Sequence, residues 1–290
     1  MRWHWSTSPR HRHHRSAQES NAAATAVAGA VDTTVSSGPD VGNVSDTVND
    51  VAHRFRQAWI HGDKATAQPE LLPVRLARAC VTVLPVTGAG LSLLNDDFRV
   101  PLGASDDAAE MAERLQFTQG EGPCLDAARS GRVVIAQAEQ IERRWPAFGE
   151  QFLQQTPFRA VFSIPLPLTA DLHGALDLYL SSADRVEAVT LAATTIISDQ
   201  IVQALRIAQA ITGSLTPRSE HAEPAWLHSP SAQVRTNVWV AMGMVMTRLQ
   251  LPASDALARL RGYAYTHDTD LDRLAAAILQ GSLDIDRIDV

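Results

Sequence analysis

The sequence has 290 residues, of which 45% are hydrophobic, and a formal net charge of -7 at pH 7. This length has room for about two domains, and the acidic balance excludes general electrostatic attraction to nucleic acid, so that such contact needs a local cationic patch. Uncharged apolar runs long enough to span a membrane do not occur, and two cysteines, Cys80 and Cys124, favour a reducing cytoplasm over a disulfide framework.

The first 46 residues are predicted to form a disordered tail. Residues 1–15 combine four arginines and four histidines with no acidic residue, and an Ala/Ser/Thr/Gly-rich stretch follows. Residues 22–31 have no Leu or Phe with which to build the apolar region of a signal peptide. A metal could bind the histidines, His4, His11, His13 and His14, but such flexible clusters are more often solvated, and we predict no metal site.

Residues 47–212 are predicted to form an α+β domain. Apolar residues at helical spacing predict helices near residues 48–59, 71–80 and 108–117. Period-two patterns predict strands on both sides of the hairpin turn Asn95-Asp96-Asp97, and over residues 132–136, 159–168 and 174–181. Hairpins mixed with helices, rather than repeated βαβ units, indicate an antiparallel sheet with flanking helices.

Four stretches of this segment carry a family resemblance. They are LPVTGAGLSLL, the LQFTQGEGPCLDA loop at residues 115–127, RWPAF at residues 144–148, and FRAVFSIPLPL followed by HGALDLYL. Together they resemble a GAF domain, which implies a sensory or dimerisation domain. GAF folds serve many ligands, so the resemblance leaves open a small-molecule partner whose identity it does not give.

The loop Gln119–Pro123 leads into Cys124 and admits several interpretations. Its glycines could approach a phosphate, but a phosphate loop needs a Lys and a Ser/Thr that Cys124-Leu125 does not supply. Cys124 could also be a redox or ligand-contacting thiol if a helix N-terminus lowered its pKa. We favour a rigid turn in which Cys124 packs as a small apolar residue.

A thiol enzyme is the minority interpretation. Some GAF proteins resemble free methionine sulfoxide reductases, which use cysteines in the GAF pocket, and Cys80 and Cys124 would supply two thiols. Cys80, however, lies in the helix predicted before the first strand, and an enzyme would not explain the C-terminal helices. The sequence has no HExxH, Ser/His/Asp or paired-carboxylate motif, so we predict no catalytic residue and no cofactor.

A long apolar helix at residues 186–211 is predicted to close the domain. Its apolar positions advance with a period of 3.5: Ile197, Ile201, Ala204, Ala208 and Ile211. Such a helix packs on its own sheet, pairs with a second copy, or does both, and we predict a homodimer. The Pro- and Ser-rich residues 213–230 are predicted to form a linker.

Residues 231–290 are predicted to form a three-helix head, because apolar residues recur there every three or four positions in three short segments. The residues predicted to face inward are Val234, Val238, Met242, Val245 and Leu249 in the first, Leu257, Leu260 and Ala264 in the second, and Leu271, Leu274, Ala275 and Ile278 in the third. Ser254 is the predicted N-cap of the second helix, and Gly281 is predicted to end the third.

The run VAMGMVMTRLQLPASDALARLRGYA carries a second resemblance. Its matching features are Ala241-x-Gly243, Ala256-Leu257, Leu260-Arg261 and Tyr263-Ala264. They resemble the signature of ANTAR domains, small helical RNA-binding modules of bacterial transcription antiterminators. GAF segments of the kind described above are joined to ANTAR heads in actinobacterial proteins, so the order of the two motifs supports both resemblances.

The first two helices of the head carry the predicted RNA contacts. Within residues 234–267 four arginines stand against one acid, Asp255, a local excess of 4 - 1 = +3. These arginines are Arg235, Arg248, Arg259 and Arg261. Arginines bind phosphates, and a ring such as that of Tyr263 can stack on the splayed bases of a hairpin loop. Gly243 costs about 1 kcal/mol inside a helix, which indicates close approach of a helix or of RNA.

We therefore expect a cytoplasmic, dimeric regulator without enzymatic activity that binds paired RNA hairpins and favours an antiterminator over an intrinsic terminator. The GAF segment would act as sensor or dimer scaffold. Two alternatives remain: a GAF small-molecule sensor whose head docks protein or DNA, and a thiol-based GAF reductase.

Overall fold

The computed structural model describes residues 41–95, 98–169, 172–189, 191–215 and 224–288. Its first helix, α1 (Val41–Ile60), begins ahead of the predicted domain boundary at residue 47. The part of the predicted tail before Val41, with its histidines, lies outside the described residues. Within the described ranges, no helix combines the length and hydropathy needed to cross a bilayer.

Five antiparallel strands form one sheet in the order β2-β1-β5-β4-β3. The strands are β1 (Gly88–Asn95), β2 (Phe98–Ala104), β3 (Val134–Gln137), β4 (Ala160–Pro167) and β5 (His173–Leu180). The predicted first hairpin is confirmed, because β1 and β2 pair from Asn95 opposite Phe98, although residues 96–97 lie outside the described part. The predicted α+β class with an antiparallel sheet is likewise confirmed.

Helices flank the sheet on both sides. In chain order they are α1, α2 (Leu72–Val83), α3 (Asp107–Gln119), α4 (Pro123–Ser130), α5 (Ala138–Arg144), α6 (Pro146–Gln155) and α7 (Leu191–Leu215). Short 3-10 helices lie at Lys64–Thr66, Pro69–Leu71 and Ala183–Ala188. Helix α3 begins where the Asp106 carboxylate accepts a hydrogen bond from the Ala109 N–H, and it ends at Gly120 in the left-handed conformation.

Strand β5 divides its side chains between two cores, because successive side chains of a strand point to opposite faces of the sheet. Leu176 and Leu178 lie in the core shared with α1, α2 and α7. Tyr179 lies in the opposite core with Phe152 and Phe158, under α3, α5 and α6. The sheet is therefore covered on both faces, and α3 lies on the face that also carries Asp177 and Tyr179.

Helix α7 packs on the sheet of its own chain. It begins at Leu191, after the 3-10 helix, rather than at the predicted residue 186. Ile197 and Ile201 of the predicted seam are fully buried in the core of the sheet domain. A second copy would have to use the sides of α7 that do not face the sheet; Leu191 and Ile207 are exposed there, on different flanks of the helix.

The C-terminal helices are α8 (Pro230–Leu249), α9 (Ala253–Thr266) and α10 (Leu271–Leu279), followed by a 3-10 helix at Ile285–Ile288. The inward residues predicted for α9 and α10 are all buried, as are Val238, Met242 and Val245 of α8. Val234 is instead 45% exposed, so this part of the prediction is wrong. The N-cap of α9 is Pro252 rather than Ser254, whereas Gly281 has the positive φ predicted beyond the end of α10.

The residues just before α8 are anchored to the sheet domain. Trp226, in a 3-10 helix at Ala225–His228, is buried in the core shared with α2 and α7. The hydroxyl of Ser229 donates to the Leu102 carbonyl at 2.7 Å and also accepts from the Ala232 N–H, which begins α8. Residues 216–223 of the predicted linker lie outside the described part, but its end is fixed.

Candidate functional site

The head carries two of its four predicted RNA-contacting arginines at an accessible surface. Arg248, at the end of α8, makes a two-fold hydrogen-bonded pair with Asp286 at 2.8 and 2.5 Å, and both side chains are more than half exposed. Arg259, on α9, is partly exposed. Exposed pairs such as Arg248–Asp286 contribute little to stability and exchange partners readily.

Arg235 lies at the boundary between the head and the sheet domain. Its side chain is only 3% exposed and forms an ion pair with Asp272 of α10. The guanidinium carbon lies 4.6 Å from the centroid of the Phe117 ring, which belongs to α3. A cation over an aromatic face is attracted by the ring quadrupole, so Phe117 and Asp272 hold Arg235 from two sides.

Arg261 meets the C-terminal end of the same helix. Its Nη2 donates to the Phe117 carbonyl at 3.3 Å. The guanidinium also lies against Gly120, where an added Cβ would stand 2.5 Å from the guanidinium carbon. A cation at a helix C-terminus interacts favourably with the carbonyl groups of the last turn.

We call the part of α3 and its C-cap that receives the head the docking face, defined as Arg114, Phe117, Thr118 and Gly120. The Phe117 ring meets Trp239 edge-on at 5.8 Å and is itself fully buried among the apolar residues of the head. The Leu271 N–H donates to the Thr118 hydroxyl at 3.4 Å. The Arg114 guanidinium forms two ion pairs with the head: its Nε lies 3.6 Å from the Asp272 carboxylate, and its Nη1 lies 3.9 Å from the Asp270 carboxylate.

Tyr263 and Gly243 lie away from the docking face. The Tyr263 ring stacks on His267 with centroids 3.8 Å apart and planes 10° from parallel. A Cβ added at Gly243 would meet nothing within 4 Å, so space for an approaching partner remains there. The neighbouring Val240 and Met244 are exposed.

A buried polar cluster occupies the other side of α3, between this helix and the sheet. Its members are Arg99 on β2, Glu113 and Gln116 on α3, Ser163 on β4, and Asp177 and Tyr179 on β5. Arg99 donates to the Glu113 carbonyl at 2.7 Å and pairs with its carboxylate. Gln116 donates to the Asp177 carboxyl at 2.7 Å, and Tyr179 donates to the Glu113 carboxylate at 2.7 Å.

Burial controls the ionisation of this cluster. Desolvation raises the pKa of Asp177 from 3.8 to about 8; the nearby Glu113 acts in the same direction, and Arg99 opposes both. A protonated Asp177 leaves one carboxylate, that of Glu113, to balance the Arg99 cation. A buried polar cluster is stable only when its members are hydrogen-bonded, and these bonds connect α3 to β2 and β5.

Cys124 lies at the edge of this cluster, in the first turn of α4. Its side chain is fully buried with Leu94, Leu125 and Ala175, and its N–H donates to the Gln116 side chain at 3.0 Å. Burial raises the pKa of the Cys124 thiol well above its usual range and also raises that of Cys80. The packing interpretation of Cys124 therefore agrees with its surroundings, since a protonated buried thiol is a poor nucleophile.

Comparison with protein families identifies the sheet domain. The family model described as GAF domain matches residues 66–206. This segment is a GAF domain. The predicted boundaries, 47–212, enclose the match, which ends before the helical head. GAF domains are a family of sensory domains, and the buried polar cluster and the docking face both lie within the matched residues.

Three solved structures are similar to the chain. One is the GAF domain of a phosphoenolpyruvate-protein phosphotransferase from Coxiella burnetii, 14% identical over 59% of this chain and 99% of that one, with a TM-score of 0.40. The N-acylhomoserine lactone-dependent LuxR family transcription factor CepR2 from Burkholderia cenocepacia is 13% identical over 57% and 99%, with a TM-score of 0.42. SdiA in complex with octanoyl-rac-glycerol is 9% identical over 83% and 96%, with a TM-score of 0.43. No curated protein matches the sequence.

The sequence prediction did not identify the polar cluster or the docking face of the GAF domain. A signal for the cluster was present, since Arg99 and Asp177 are opposite charges in strands that are otherwise largely apolar. The docking face has no comparable signal, because Phe117 is an ordinary apolar position of an amphipathic helix. Only its contact with the head distinguishes it.

Proposed function

We propose that the protein is an RNA-binding regulator in which the GAF domain senses a signal and the head binds RNA hairpins of target transcripts. The resemblance of the head to ANTAR domains implies this activity, with hairpin binding favouring an antiterminator over an intrinsic terminator. The observation that carries the proposal is that the ANTAR-like run lies in α8 and α9, which share one apolar core with α10 and Phe117, and that the four arginines lie on α8 and α9.

The electrostatics of the head support the same proposal. The chain as a whole is acidic, whereas α8 and α9 together carry four arginines and one acid, Asp255. Asp270 instead caps α10, where its carboxylate accepts from the Arg273 N–H. Of these arginines, Arg235 is buried against Asp272. The cationic surface available to phosphates therefore consists of the exposed Arg248 and the partly exposed Arg259 and Arg261.

A homodimer would present two heads to a pair of hairpins. The exposed apolar residue Ile207 of α7 supports a contact between two GAF domains, since the inner face of this helix is packed on its own sheet. Light scattering on the full chain measures the mass directly. We expect a dimer, and the Ile207→Glu variant should shift the mass toward the monomer.

The deciding experiment measures binding of the full chain to RNA. Crosslinking in cells followed by sequencing of the bound RNA identifies the hairpins, and fluorescence anisotropy then gives affinities over a series of salt concentrations. Arg248→Ala and Arg259→Ala should each weaken binding and reduce the salt slope by about one unit. Arg132→Ala, which removes an exposed arginine of the GAF domain, is the control and should change neither.

The outcome also separates the alternatives. Duplex DNA of the same sequence should compete poorly with the hairpin. Equal competition by DNA would favour a DNA-binding head, and absence of any enriched RNA after crosslinking would favour a head that docks protein.

A further inference from the structure

One of the four predicted RNA-contacting arginines is buried against the GAF domain, and a second is partly covered by it. Arg235 is buried between Asp272 and the Phe117 ring, and Arg261 lies over the C-terminal end of α3. Trp239 of α8 also meets the Phe117 ring edge-on. An RNA phosphate or base that approached these side chains would collide with α3.

Acidic groups of the head pair with arginines on both sides of the contact between the head and α3. Asp272 pairs with Arg235, and Asp272 and Asp270 both lie beside Arg114 of the docking face. Burial lowers the pKa of Arg235 and raises that of Asp272, so their mutual attraction does not fully offset desolvation. Arg235 is therefore held in a pair that a solvent-exposed phosphate could replace once the head separates from α3.

The docking face and the sensor interior belong to the same short helix. Glu113 and Gln116 enter the buried polar cluster, whereas their immediate neighbours Arg114 and Phe117 contact the head. A rearrangement of the cluster that rotates or shifts α3 would therefore move the docking face by the same amount. One packed helix with two functional faces is a physical connection between the two domains.

We propose that α3 holds the head in a closed state in which Arg235 is out of reach of RNA and Arg261 is partly covered, and that the head must leave the docking face to bind RNA fully. This inference rests on the proposed RNA binding. In the closed state Arg248 and Arg259 remain at the surface, so weak binding persists and release of the head strengthens it.

A charge reversal on the docking face gives the sharpest test. In Arg114→Glu a carboxylate faces Asp270 and Asp272, which repels the head from α3. The substitution makes the protein more acidic, so electrostatics alone predicts weaker RNA binding, whereas release of the head predicts tighter binding. Arg132→Glu makes the same charge change at an exposed GAF residue away from the head and serves as the control.

The experiment uses the full chain and two readouts, with Phe117→Ala as a second variant in case one substitution impairs folding. Hydrogen exchange reports opening without RNA, because the Leu271 amide donates to Thr118 only in the closed state. Fluorescence anisotropy with the RNA hairpin identified by crosslinking in cells reports the binding affinity. In both variants we expect faster exchange at Leu271 and RNA binding about threefold tighter or more, since apparent affinity scales with the fraction of open heads. Arg132→Glu should leave exchange unchanged.

The results distinguish this inference from the proposed function. Faster exchange together with unchanged or weaker RNA binding would overturn the closed state and leave RNA binding intact. Unchanged exchange in both variants would also overturn it, because α3 would then not hold the head. If neither the wild type nor an opened variant bound any hairpin, both proposals would be wrong.

Discussion

Phe117 and Arg235 meet across the boundary between the GAF domain and the head, with the guanidinium carbon 4.6 Å from the ring centroid. Phe117 is part of a GAF helix, yet its ring is fully buried in the apolar core of the head. The head therefore completes its core with a residue from the sensor. Its packing energy depends on the position of α3, which makes a contact of this kind suitable for regulation.

Phe117→Ala should lower the free energy of unfolding by about 3–5 kcal/mol, because it leaves a cavity between α3 and α8. Phe117→Leu retains most of the apolar volume and should cost about 1 kcal/mol. Chemical denaturation of both variants checks these values.

Phe148→Ala is the matched control, because it removes an equally buried ring in the GAF core that does not touch the head. Only Phe117→Ala should therefore preferentially accelerate amide exchange in α8–α10. Equal protection of the head in both alanine variants would contradict this assignment.

Gly120 and Gly131 provide a matched test of the Arg261 contact. Both residues end a helix in the left-handed conformation, with φ values of 69° and 65°. A Cβ at Gly131 would meet nothing within 4 Å, whereas one at Gly120 would meet the Arg261 guanidinium. Gly131→Ala should therefore cost about 1 kcal/mol from backbone strain alone.

Gly120→Ala carries the same backbone strain and must also displace Arg261. Gly120→Ala should therefore lose more stability than Gly131→Ala. In the double variant Gly120→Ala/Arg261→Ala the clash is absent, so the loss caused by the glycine substitution should approach that of Gly131→Ala. Thermal or urea unfolding of the four proteins checks this order. Equal losses for the two glycine variants would mean that Arg261 does not rest against the end of α3.

The sequence was sufficient for the features that depend on local periodicity. The antiparallel sheet and the three C-terminal helices follow from apolar spacing, and so do Val238, Met242 and Val245 in the head core. Periodicity reports which face of an element is apolar but not what covers that face. It therefore left two possibilities for the seam of α7, whose residues Ile197 and Ile201 pack on their own sheet.

The site was less predictable, because its geometry depends on contacts between residues far apart in sequence. Four arginines within residues 234–267 read as one cationic surface, yet the fold buries Arg235 with Asp272 and leaves Arg248 exposed. The charge count could not distinguish them, since Asp272 lies outside that window. Val234, predicted to be buried, is exposed because the buried face of α8 runs through Ala232, Arg235 and Val238, and Val234 lies outside that face.

Both cysteine thiols should be unreactive in the folded protein. Cys80 and Cys124 are fully buried, and burial raises both pKa values, so little thiolate exists at neutral pH. Labelling with a thiol-specific disulfide reagent at pH 7.5 should proceed slowly in the native protein. In denaturant, both cysteines should react rapidly. One rapidly labelled thiol, lost in Cys124→Ser, would instead support the thiol-reductase alternative.

Asp177 should make the protein less stable as the pH rises. Burial raises its pKa from 3.8 to about 8, so the folded state binds this proton more tightly than the unfolded chain. The stability from this proton is fully present below pH 3.8 and is lost as the pH rises through about 8; the slope cannot exceed about 1.4 kcal/mol per pH unit. Asp177→Asn keeps a neutral polar group among Glu113, Arg99 and Tyr179 and should therefore remove this decline in stability. Urea denaturation of both proteins at pH values about one unit apart, from pH 5 to pH 8, measures the decline. Asp199→Asn, at an exposed position, should leave the decline unchanged. If the stability of Asp177→Asn fell with pH as steeply as that of the wild type, Asp177 would be ionised in the folded protein. The polar cluster would then carry two negative charges against Arg99.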